Sequence, residues 1–353
     1  MAKFKSHALV ALLLVVGYGL MQFRATMGPS LLLEIGLFVL ALIALIVAAD
    51  NFTELAVKVG NSLGLSKLAT GTLIVAIGTS APEMFSSLSA ALKGEAGMVI
   101  GNVYGTVVAN TLLGIGAAAT FAKASLPVHK DVFGSKMSIF LGAVLISTAS
   151  MIDGVFDMVD GLLLLLLLVF YLAYVLKNDK HNQAEQALLN SDEDEEEEKE
   201  TTTVLDWGLL VLSLSFLFIS GDLVVDALIK GAEITDIMSA KLSSTILAVG
   251  TSIPEIAVAI TIVRRPGDNN DQADLLLGEI LGSNIFDIFG ILGITSLILP
   301  LTMEPNLLMY LSGSMVVMFF VTNVVMNDRK IDKIEGLILL ALFAVFNNQL
   351  VSI

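Results

Sequence analysis

The chain has no cysteine, so disulfides and thiolate metal sites are excluded. Histidine is almost as scarce. The three residues, His7, His129 and His181, all fall at the ends of apolar runs or between them, which argues against an imidazole metal site or proton relay at depth. Charge is thin as well, at 15% of 353 residues. The net charge of −15 is mostly local. Asp192 to Glu200 holds eight acids, broken only by Lys199, so the acidity is a property of one linker. Its like charges repel and predict that the whole joining segment, 177–203, is disordered and solvated.

What is abundant is apolar. The sequence is 56% hydrophobic with a mean hydropathy of +0.85, beyond an ordinary soluble domain. Windows of 18 or more uncharged residues read as membrane spans. They fall near 8–26, 31–60, 66–92, 97–121, 136–152, 157–176, 204–230, 240–263, 273–299, 304–326 and 333–350, eleven in all. The first follows Lys3 and Lys5. A signal peptide is the alternative, but no small-x-small cleavage pattern follows clearly, so it is read as a retained helix or signal anchor.

Positive-inside counting gives the orientation. With the N-terminus in the cytoplasm, fifteen of nineteen basic residues lie inside. Arg24, Lys93, Lys230 and Lys241 lie outside. The 177–203 segment is then cytoplasmic and the C-terminus external. Trp207, Tyr171 and Tyr174 fit an interfacial belt on the cytoplasmic side.

The chain repeats itself. Gly78-Thr79-Ser80-Ala81-Pro82-Glu83 recurs 172 residues later as Gly250-Thr251-Ser252-Ile253-Pro254-Glu255. Asp50 and Asp222 precede the two glutamates by the same 33 residues. A second block, Gly101 to Asn110, recurs at an offset of 177 as Gly278 to Asp287. The five extra residues fit the polar stretch Arg264 to Asp271. Each half, 30–176 and 204–353, holds five spans, so the second enters the membrane the opposite way up. Residues 1–29 stand outside as one extra span, and 177–203 joins the halves. The predicted fold is an all-α membrane protein with 5+5 inverted repeats, the logic of secondary transporters.

Both Gly-Thr-Ser-x-Pro-Glu blocks suit a helix that stops and restarts. Polar backbone at bilayer depth is tolerated where it lines a cavity, and a carboxylate there is costly and usually functional. At about 1.5 Å per residue, Glu83 and Asn110 reach mid-membrane on antiparallel neighbours, as do Glu255 and Asp287. Three carboxylates and one amide make a hard oxygen site. Ca2+ takes about 6–8 oxygens, so the hydroxyls of Thr79, Ser80, Thr251, Ser252, Thr106 and Ser283, with freed carbonyls, would complete it. The structural alternative is that Ser80-x-x-Glu83 and Ser252-x-x-Glu255 are capping boxes. Asp50 and Asp222 read equally as access-route residues or as helix ties. The glycines of the second block, with Gly114, Gly116, Gly290 and Gly293, predict close helix contact.

These paired blocks resemble the two alpha-repeats of the cation/Ca2+ antiporter superfamily, and most of all its sodium/calcium exchanger branch. The resemblance covers nearly the whole chain from about residue 30. It implies Na+/Ca2+ exchange by alternating access at one central site, with the carbonyls of Ala76 and Ala248 among the ligands. It also implies that 31–60 and 204–230 slide against the other helices. The partners are then Na+, Ca2+ and the lipid bilayer, with no cofactor, nucleic acid or protein partner, in the cell membrane. Two departures stand out. Glu279 occupies a place usually held by Asn, as Asn102 does in the first repeat, and Val107 stands where the second copy has Asn284. Glu279 leaves Ca2+/H+ or K+-assisted exchange open. A cation channel is disfavoured by the lack of a pore helix. A membrane enzyme is disfavoured by the lack of His or Cys at depth.

Overall fold

The computed structural model describes residues 2–27, 30–62, 78–128, 136–189, 202–264 and 269–352. Helices dominate, because a lipid-facing backbone must satisfy its own hydrogen bonds. Helix α1 (Ala2–Met27) precedes the first half, which holds α2 (Leu31–Ser62), α3 (Ala81–Leu92), α4 (Ala96–Phe121), α5 (Met137–Ser150) and α6 (Met158–Leu189). The second half holds α7 (Val204–Thr235), α8 (Ser239–Thr251), α9 (Ile253–Arg264), α10 (Asn269–Phe286, continuing to Ser296), α11 (Pro305–Val325) and α12 (Lys333–Ser352). Among the described residues, eight helices are long and apolar enough to cross a membrane, or nine with the bent pair α8–α9 taken as one. Helix α5 is apolar but shorter, and α3 is the described part of the expected 66–92 span.

One expectation needs correction. The segment 177–203 does not begin as disordered linker, because α6 continues to Leu189. Its Ala, Gln, Glu and Leu residues are good helix formers and prolong the turn beyond the apolar run. The acidic run 192–200 lies outside the described residues.

Four two-residue strands reveal how the halves interlock. Strand β1 (Leu126–Pro127) pairs antiparallel with β4 (Lys330–Ile331), and β2 (Val155–Phe156) with β3 (Leu301–Thr302). Strand β1 follows α4 as β3 follows α10, and β2 precedes α6 as β4 precedes α12. Both pairings therefore join a strand of one half to a strand of the other, and exchanging the halves maps each onto the other. That is a pseudo-twofold relation.

Helices α2 and α7, which occupy equivalent places, pack along each other. Lys58 of α2 bonds Asp206 at the start of α7 at 2.7 Å. Asp206 also closes a capping box with Thr203, whose amide donates to its carboxylate at 2.9 Å. Helix α1 lies on both. Its Arg24 bonds Glu34 of α2 at 3.1 Å and Asp226 of α7 at 2.7 Å. Ser6 donates to Asn51 at 2.6 Å, and His7 pairs with Ser213 at 3.0 Å. Trp207 and Tyr174 are exposed, as a belt requires, but Tyr171 is half-buried and its hydroxyl approaches Gly282 of α10.

Helix α4 is enclosed by protein and carries the densest core, with Met98, Val99, Val103, Tyr104 and Val107 fully buried. Gly105 explains its approach to α8, since a Cβ there would stand 2.5 Å from the Ser244 carbonyl oxygen.

Candidate functional site

The two conserved-length motif copies fold alike. Ser80 (φ −78°, ψ 6°) precedes α3, and Ser252 (φ −76°, ψ 0°) separates α8 from α9. The second break bends the chain by 41°. Pro82 and Pro254 each sit in the restarted first turn. Neither has the N–H that would bond the carbonyl four residues back, at Gly78 and Gly250. The breaks thus come from the sequence itself.

Neither capping box forms. Ser80 makes no side-chain cap, and the hydroxyls of Ser80 and Ser252 have no hydrogen-bond partner. Instead the polar groups turn inward together. Glu83, Glu255 and Asp287 are each at most 1% exposed, and all six carboxylate oxygens are unpartnered. Asn110, Thr106 and Ser283 are likewise fully buried with their polar side-chain atoms unbonded. Glu83 of the first half lies beside Thr251 and Asp287 of the second. Asp287 lies beside Ser80 of the first, and Glu255 is within electrostatic reach of Glu83, Asp287 and Glu279. The site is therefore shared between the halves. Among the described residues, no three acids close tightly enough to grip a metal ion unaided, so neutral oxygens must contribute.

Other expected ligands differ. Thr251 is buried, but its hydroxyl donates to the Leu247 carbonyl at 3.0 Å, leaving its lone pairs for an ion. The Ala248 carbonyl, expected free, accepts the Ser252 amide at 3.1 Å and the Thr251 hydroxyl at 3.4 Å. Thr79 is half-buried and already engaged. Ala76 lies outside the described residues.

Sequence reasoning missed the local shape of α4 and α10. Asn110 and Asp287 both lie in the first turn of π-helical stretches, Ala109–Gly114 and Asp287–Leu292. One wide turn inserts a residue, and such turns recur at functional sites. It also missed Asn284, which donates to Thr111 at 2.8 Å and ties α10 to α4. Asn102 serves structure, donating to Ser86 at 3.2 Å and Ser87 at 2.9 Å on α3. Of the aspartate pair, Asp222 is a tie, bonded to Ser89 and Lys93 at 2.9 Å each. Asp50 is exposed.

Carboxylates buried without donors are costly unless cations neutralise them. Apolar helices, a twofold interlock and a shared oxygen site together define a helical integral membrane protein of transporter type. Comparison with known proteins sharpens that class. The sodium/calcium exchanger protein family matches residues 33–177 and 205–348. The chain belongs to that family, and so to the cation/Ca2+ antiporters. It is 31% identical to the inner membrane protein YrbG of Escherichia coli, over 78% of this chain and 83% of that one. It is 28% identical to the sodium/calcium exchanger MaX1 of Methanosarcina acetivorans, over 88% and 96%. A solved structure of the sodium-calcium exchanger NCX_Mj, soaked with Na+ and Sr2+, matches at TM-score 0.59 and 29% identity, over 90% of this chain and 98% of that one. Two of these relatives are named sodium/calcium exchangers and one an inner membrane protein.

Proposed function

We propose that this chain exchanges Na+ for Ca2+ across the cell membrane by alternating access at one site. The observation that carries this is the meeting of Glu83, Glu255 and Asp287, buried from both halves with no protein donor on any carboxylate oxygen. Hard cations need such oxygens, and Ca2+ takes about 6–8 of them. Asn110, Thr106, Ser283, Ser80, Ser252, Thr79 and Thr251 add neutral oxygens, with the carbonyls of Ala76 and Ala248. Three like charges held together repel, so an emptied site must refill with cations, and that coupling is the exchange.

In this reading the membrane holds eleven spans. Five form the 30–176 repeat and five the inverted 204–353 repeat, with α1 as the extra one. The N-terminus is cytoplasmic and the C-terminus external. Helices α2 and α7 slide against the remainder, and Na+ entry drives Ca2+ export.

The test is radiolabelled Ca2+ uptake into proteoliposomes. An outward Na+ gradient should drive uptake, and collapsing it should stop uptake. Uptake driven equally by a proton or K+ gradient, with Na+ indifferent, would reject Na+ coupling and favour Ca2+/H+ or K+-assisted exchange.

A further inference from the structure

Glu279 is half-buried with both carboxylate oxygens covered, and the central site does not use it. It stands one turn before Ser283 and two before Asp287 on the regular part of α10. Residues four apart share a helix face, so the three form a row, with about 6 Å of rise between neighbours. All five side-chain oxygens are buried and unbonded. Glu279 is also within electrostatic reach of Asp287 and Glu255. The ammonium of Lys136, itself engaged, and the hydroxyl of Tyr171 stand beside Gly278 and Gly282, one step round the helix, and neither Glu279 oxygen accepts a hydrogen bond.

The first half carries the same row without charge, as Asn102, Thr106 and Asn110. There the outermost member is fixed, because the Asn102 amide donates to Ser86, Ser87 and the Glu83 carbonyl. At the matching places on α9 the second half has Val258 and Ala259, which offer no hydroxyl. An amide at 279 would find neither of those hydroxyls there. A carboxylate in the same place has no hydrogen-bond donor, which leaves both its oxygens open to a mobile cation.

We propose that Glu279, with Ser283 shared between it and the central site, forms an adjoining cation station on the approach from the N-terminal end of α10. It takes Na+ or Ca2+, still partly hydrated, and hands it to Asp287. One carboxylate and one hydroxyl give a weak, exchangeable site, as a waiting position requires. The chain is thereby asymmetric, with a charged approach through the second half and a neutral one through the first. This inference rests on the exchange reading above.

The test uses the full chain in liposomes of sorted orientation, with Na+ or Ca2+ titrated on one face at a time. Glu279→Gln should raise the half-maximal concentration on the face where α10 begins, on the order of fivefold. The opposite face should keep its wild-type value, and Glu279→Asp should retain most of the effect of the native acid. An unchanged value on both faces, or equal loss on both, overturns the station. Absence of exchange in the wild-type chain would instead reject the functional reading.

Discussion

Glu83 and Glu255 carry most of the site's charge, and replacing either by Gln keeps size and removes it. Each variant should fold and lose Ca2+ transport, with apparent affinity falling on the order of tenfold or more. Exchange at wild-type rates in both would remove these residues from the site. This pair was legible in the sequence because two costly acids recur at one offset inside apolar runs. The roles of their neighbours were not. Ser80 and Ser252 fit a capping spacing, yet the hydroxyls make no cap. Spacing fixes which face a side chain occupies, but the facing half decides what it meets. Asn102 shows the same limit, since its donors find partners only once α4 lies against α3.

Among elements, α1 is the clearest case of a helix held by polar contacts. Arg24 meets Glu34, which is 2% exposed, and Asp226. Breaking a buried pair strands the remaining charge, at a cost on the order of 3 kcal/mol. Arg24→Leu should therefore lower the unfolding midpoint in detergent clearly. Lys230→Ala, which breaks only an exposed i,i+3 pair, should change stability by about 0.5 kcal/mol or less. A midpoint unmoved by Arg24→Leu would show that apolar packing alone holds α1. Helix α7 meets α3 at Gly221, where a Cβ would stand 2.8 Å from the Phe85 carbonyl oxygen. Backbone cannot yield as a side chain does, so Gly221→Val should push the helices apart and release Asp222 from Ser89 and Lys93. A cysteine pair at 89 and 222, in a chain free of other thiols, should then cross-link poorly. Helices were readable from uncharged length, whereas the two-residue strands carry too few residues for any pattern.

Across the whole molecule, the repeat makes a symmetric forecast. Asp222 is tied to Ser89 on α3, whereas its mate Asp50 is exposed, and the mate of Ser89 is Thr261 on α9. Thr261 spends its hydroxyl on the Ala257 carbonyl at 2.7 Å. In the opposite-facing state Asp50 should take Thr261 as Asp222 now takes Ser89. A 50–261 cysteine pair should cross-link during turnover and arrest exchange, with activity returning on reduction. Cross-linking that leaves exchange running would refute the swap. The halves were visible as halves in the sequence, but the asymmetry between them belongs to one conformation, and a sequence encodes both.

The strand pairing reaches beyond transport, to how the protein is made. Leu126 and Pro127 find their partners at Ile331 and Lys330, more than two hundred residues further along. A ribosome must emit the chain as far as Ile331 before the earliest half can close. Until then the membrane insertion machinery has to shelter an unfinished bundle, so a messenger truncated before Lys330 should yield a product cleared by quality-control proteases rather than a stable half-carrier.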